Sequence, residues 1–207
     1  MSKNVLAILG SPGDLPQKVG DAILDLVLHV PPSFESETEQ PEAHARALSR
    51  AAARQASLMA GSLALPPGFL GWLTILPELV AVWKLQAQMV ADIAAVYGKS
   101  ANLGREQMIY CLFKHVSAQL FRDVVVRVGE RYLVQGASLA MIQSAARALG
   151  VQVTQNVIGK GVSRFVPLVG AVGVGAYAYF DTTQVAKTTI ELFSKDIILT
   201  APDLQAK

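Results

Sequence analysis

The sequence predicts an all-α fold, a single-domain helical bundle whose apolar helices are broken by proline and glycine. Three observations predict it. The 207 residues are 52% hydrophobic and 16% charged, against roughly 25% charged in an ordinary soluble domain. Apolar side chains recur at helical spacing through most of the chain. Two long uncharged stretches, Gln55 to Pro77 and Phe165 to Phe180, carry Pro66, Pro67, Gly68 and Pro77 in the first and Pro167, Gly170, Gly173 and Gly175 in the second. A chain of this length buries a sizeable core in one domain.

The N-terminus has one lysine before a six-residue apolar run ending at Gly10. That is short of the roughly 7–15 residues of a secretory core, so a cytoplasmic start is expected. From Leu15 to His29, Val19, Ile23, Leu26 and Val27 fall near one face, which predicts a short amphipathic helix. The segment Val30 to Glu42, VPPSFESETEQPE, combines proline with acidic and hydroxyl residues and reads as a linker. The expected organisation is an N-terminal helix and acidic linker over 1–42, a helical domain over 43–200 and a polar tail over 201–207.

Pro41 suits the first turn of a helix, and the alanine-rich run that follows has no internal breaker as far as Met59. Arg46, Arg50 and Arg54 form a basic stripe on it. Such a stripe reads either as a solvated face or as a contact for phosphate or lipid headgroups.

The prolines divide the first uncharged stretch. As a helix, Gly68 to Leu76 would cover about 14 Å, and Leu168 to Phe180 in the second stretch about 20 Å. A hydrocarbon core is about 30 Å thick, so neither predicts a simple crossing. Two readings stand for both: core elements packed inside the bundle, or re-entrant wedges at a membrane. Phe69, Leu70, Trp72 and Leu73 are the candidate contacts of the first wedge.

From Glu78 to Val96 the helical pattern is strong, and Gly98 is a natural stop after Tyr97. Glu78 and Asp92 lie about 21 Å apart along that helix, which excludes a shared dyad. A third helical region begins near Asn102. Its continuation, VVVRVGERYLVQG, mixes β-branched residues with helix-compatible charge spacing, and we read it as helix. Ala137 to Asn156 predicts one helix, or two halves about Gly150. After Asp181 the pattern is again amphipathic.

Candidate chemistry is sparse. The single cysteine, Cys111, excludes an intrachain disulfide and a cysteine zinc cluster. His115 shares its helical face, but a nucleophile–base pair needs a third, orienting group, and none is evident. His29 and His44 share no metal-ligand spacing with it. Gly159-Lys160-Gly161 lacks the spacing of a phosphate loop. No cofactor is expected. The charge is uneven: net −5 over 1–42, +8 over 43–165 and −1 over 166–207, returning +2. A basic centre of this kind suits an anionic membrane surface or pairs with the acidic leader. The arginines are scattered and without interleaved aromatics, so nucleic acid is not an expected partner.

An ordered set of segments resembles the bacterial EcsC family over roughly Ala47 to Ser194: the alanine-rich helix, Gly61, LPELV with Pro77 and Glu78, IAAVYG with Tyr97 and Gly98, VPLVGAVGVGAYAYF, and QVAK followed by Phe193. Where an Asn-aromatic pair is expected after the glycine-rich segment, the chain has Tyr179-Phe180. The resemblance implies a helical, membrane-associated bacterial protein, accessory to an envelope or ABC-transport system, with no catalytic residues to carry over. The expected place is the inner face of the cell membrane, with an anionic membrane surface or a membrane protein as partner. A soluble interaction or homo-oligomerisation module is the rival class. An enzyme, resting on Glu78, Asp92, Cys111 and His115, is the third.

Overall fold

The computed structural model describes residues 14–63, 71–117, 125–128, 131–135, 138–159 and 167–200, with side chains over 14–62, 76–117, 138–155 and 172–195. Helix α1 (Leu15–Leu28) buries Val19, Ile23, Leu26 and Val27, the predicted face, together with Leu15 and Gly20. It crosses α5 (Leu139–Gly159) at a glycine pair. A Cβ on Gly150 would sit 2.7 Å from the Gly20 nitrogen and meet the Pro16 carbonyl, so the two backbones touch only because both residues lack one.

Residues 30–40 are not a free linker. They run as an extended strap beside α3 (Gly71–Val96). Gln88 Nε2 donates to the Pro32 carbonyl at 3.1 Å, Ser33 Oγ to Asp92 Oδ1 at 2.7 Å, and the Thr38 amide to the Val96 carbonyl at 3.2 Å. Beyond the strap, α2 (Pro41–Leu63) starts on Pro41 as expected and turns Ala45, Ala52, Ala53, Ala56 and Ala60 inward.

Helix α3 corrects one expectation. It runs unbroken through Pro77, where the proline predicts a break, so Glu78 lies inside the helix. The missing amide removes one hydrogen bond, and Pro77 sits on the exposed side of the helix near its start. At the other end Gly98 does stop the helix. Its φ is +68°, its amide donates to the Ala95 carbonyl, and the Lys99 amide donates to the Ala94 carbonyl, both at 2.8 Å. That paired closure needs a left-handed residue. The Glu37 side chain of the strap lies directly over this glycine.

A short 3-10 turn (Ser100–Asn102) leads into α4 (Arg105–Phe113), buried from Gln107 to Phe113. Phe113 stacks edge-on against Trp83 of α3, with ring centroids 5.4 Å apart. The segment VVVRVGERYLVQG is a second correction. It forms β1 (Val125–Val128) and β2 (Arg131–Gln135), an antiparallel pair with Val125 opposite Val134 and Val128 opposite Arg131. The β-branched residues favour the strand once β3 (Asp196–Thr200) is available to pair in parallel with β2. The sheet order is β1-β2-β3, a small appendix to the helical bundle.

Helix α5 continues through Gly150 as one helix. Helix α6 (Pro167–Phe193) also starts on its proline and joins the glycine-rich stretch and the amphipathic one into 27 residues. Side chains of α1, α3, α4, α5 and α6 share one apolar core, so the packing has no break between α1 and the rest.

Candidate interaction surface

Helices α2 and α6 lie side by side on a seam of small residues. Ala56 and Ala60 meet Ala178, with Val82 of α3 beneath them. A Cβ on Gly175 would sit 2.9 Å from the Ser57 carbonyl and 3.7 Å from the Gly61 Cα. The close approach brings the outer faces of the two helices together.

Those outer faces are unlike the rest of the surface. On α6, Val172 is 71% exposed and Phe180 60%, and Tyr177 and Tyr179 are also exposed. Val172, Ala176 and Phe180 recur every four residues, hence on one face. On α2, Leu58, beside the Ser57 contact, is 75% exposed. Arg46, Arg50 and Arg54 continue the same row away from Leu58, all exposed. Arg46 pairs with Glu42 one turn back, whereas Arg50 and Arg54 make no ion pair among the described residues. The exposed apolar face of α6 and two free guanidiniums of α2 thus flank one seam.

Beneath the α6 face is a polar clip. His115 Nε2 contacts Asp181 Oδ1 at 2.7 Å, their side chains 19% and 13% exposed. Gln86 Nε2 donates to Asp181 Oδ2 at 2.8 Å and to Thr182 Oγ1 at 3.0 Å. Gln86 Oε1 is buried with no partner, and reversing the amide would turn that oxygen onto the carboxylate. The clip fastens the turn after α4 and the middle of α3 to α6. Burial, then the nearby Asp181 charge, raises the Tyr177 pKa above its usual 10.0.

The four enzyme candidates do not converge among the described residues. Asp92 accepts from Ser33 and Gln88. His115 is held by Asp181. Cys111 is fully buried beside Thr189, and burial pushes its thiol from 9.0 up to about 12, the opposite of an activated nucleophile. Glu78 is buried within α3. No group of three or more His, Cys, Asp or Glu side chains able to hold a metal occurs among the described residues.

The predicted contacts fare differently. Phe69 and Leu70 lie outside the described residues, and Trp72 and Leu73 are in the first turn of α3 with side chains outside them. Pro167 opens α6, and Gly170 and Gly173 lie in its first half. Gly173 faces open space rather than a neighbour, whereas Gly175 allows close packing. The Tyr97 hydroxyl is buried without a partner; burial, then Glu42, raises its pKa, with Arg46 opposing. Sequence reasoning missed Leu58, Val172, Tyr177, Tyr179 and Phe180 as exposed. The available signal was the run YAYF, whose aromatics span more of the helix circumference than one buried stripe can cover.

Helix α3 supplies the one stretch, Leu76–Val96, long and apolar enough to cross a membrane among the described residues, and 61% of its most apolar window is buried inside the bundle. Comparison of the chain with protein-family models, with curated proteins and with solved structures finds no match.

Proposed function

We propose that the chain is a non-catalytic, membrane-associated helical protein that meets an anionic membrane surface through the outer faces of α2 and α6. The observation that carries this reading is the exposed set Val172, Tyr177, Tyr179 and Phe180 across the seam from Arg50 and Arg54. An interfacial helix binds by burying an apolar face at the level of the acyl boundary while cations meet the headgroups. Tyrosine suits that depth, having an apolar ring and a polar end. Each arginine close to an anionic surface adds about 1 kcal/mol. Helix α3 serves in this reading as core, not as a span.

The resemblance to the EcsC family is the ground for the remaining parts of the proposal. They are a bacterial origin, the inner face of the cell membrane and a role accessory to an envelope or ABC-transport system.

Co-sedimentation with vesicles tests it. Binding is expected to vesicles containing phosphatidylglycerol, to weaken with salt, and to be slight with phosphatidylcholine alone. The double variant Arg50→Glu/Arg54→Glu is expected to lower affinity about tenfold or more. Recovery of the wild-type protein in the supernatant with every vesicle would sink the reading.

A further inference from the structure

The outer face of α2 carrying Ala43, Ala47, Arg50, Ala51 and Arg54 is exposed, and it is self-complementary. At its N-terminal end the strap and the helix border an open hollow of about 640 Å³, lined by Glu37, Glu39, Ala43, His44 and Ala47 among others. Glu35 is occupied by His44 at 3.3 Å, whereas Glu37 and Glu39 make no ion pair among the described residues. One to two turns beyond the hollow, on the same helix, stand the two free guanidiniums of Arg50 and Arg54. Ala43 and Ala47 at the hollow and Ala51 between the two arginines are exposed at four-residue intervals.

We infer that the partner of this face is a second copy of the chain, with two α2 helices antiparallel about a two-fold axis near Ala47. The hollow and the arginines lie on opposite sides of Ala47. An antiparallel copy therefore brings Arg54 of each chain, about 10 Å from the axis, towards the hollow of the other. The contact is used twice and closes, as a two-fold interface requires. The alanines let the helix axes approach without displacing a side chain. Each free carboxylate gains a free guanidinium, and the strap needs little ordering, because Ser33 and Thr38 already fasten it to α3. Phe34, on the strap's outer side between two tethered neighbours, is 97% exposed and adds an aromatic at the rim.

The inference does not depend on the membrane reading, but the two share Arg50 and Arg54. Anionic lipid and the second copy therefore compete, and the membrane-bound form is the monomer.

Charge exchange tests it on the full chain, with mass read by light scattering at low ionic strength. The wild type is expected to be dimeric. Glu39→Lys and Arg54→Glu, each placing like charges opposite one another, are expected to weaken association at least about tenfold. Glu39→Lys and Arg54→Glu combined in one chain restore the dimer, and the two single variants mixed give a one-to-one heterodimer. Circular dichroism establishes that each variant is folded. A monomeric wild type, or a combined variant no more associated than the single ones, overturns the inference. Glu39→Lys is expected to retain or improve phosphatidylglycerol binding. Loss of vesicle binding by every variant alongside restored dimerisation would remove the membrane reading and leave the dimer standing.

Discussion

The apolar part of α3 and the first half of α6 resemble one another in composition and differ in fate. Both are long, poor in charge and interrupted by helix-disfavouring residues. In α3, Val82, Trp83, Ala87, Met89, Val90 and Ile93 are buried, because α1, α2, α4 and α6 surround the helix. Among the described residues the first half of α6 packs on α2 and, through Ala178, on Val82 of α3, and Val172, Tyr177, Tyr179 and Phe180 face outward. Hydropathy records what a segment would avoid, and the number of neighbours decides whether it succeeds. Prolines and glycines do not separate the two cases. Pro77 sits inside the buried helix, and of the glycines in α6 Gly175 makes a contact while Gly173 makes none.

The contrast is sharpest in mutations of equal chemical size. Ile93→Ala, in the last turn of α3, is expected to destabilise the protein by about 2–5 kcal/mol in denaturant titration, since the side chain is fully buried and leaves a closed cavity. Cys111 probes the same dry core through pH. Its folded pKa lies above the unfolded value of 9.0, so its contribution is complete below pH 9 and is lost as pH rises towards about 12. The loss reaches the order of a few kcal/mol. Stability of Cys111→Ala is therefore expected to fall less steeply than wild type over that window, and Cys111 is expected to resist thiol reagents at pH 8 until the chain unfolds.

Asp181 marks the boundary between the covered and uncovered halves of α6. Asp181→Ala takes a partner from both His115 and the buried Gln86, at an expected cost of about 1–3 kcal/mol by thermal or chemical denaturation. Phe180, one residue earlier and outward, should behave oppositely. Phe180→Ser is expected to change stability by no more than about 0.5 kcal/mol while lowering vesicle affinity. A Phe180→Ser variant as destabilised as Ile93→Ala would erase the contrast.

Much of the bundle was legible because its signals are local. The buried face of α1 is a matter of spacing, and Pro41, Pro167 and Gly98 mark helix ends through backbone geometry that neighbours do not alter. The misreadings needed information from far along the chain. Residues 125–128 and 131–135 become strands because β3 is there to pair with β2, more than sixty residues downstream in sequence. The strap is held by Asp92, 59 residues from Ser33, where composition alone indicates a loose linker. Of the candidate surface, the arginine row was visible as a four-residue repeat. Its apolar half was visible only as composition, since exposure is a property of the packed helices. His115 stood out as a residue, but its partner, 66 residues away, had no spacing by which to be found.

The span between Gln86 and Asp181 also bears on synthesis. Ninety-five residues separate the two ends of that hydrogen bond, so at about 5–20 residues per second α3 leaves the ribosome roughly 5–20 seconds before α6 arrives to cover it. Throughout that interval the one described helix that satisfies the length and hydropathy of a membrane span is without its lid. A nascent chain of this protein is therefore a more hydrophobic object than the finished one until α6 is made.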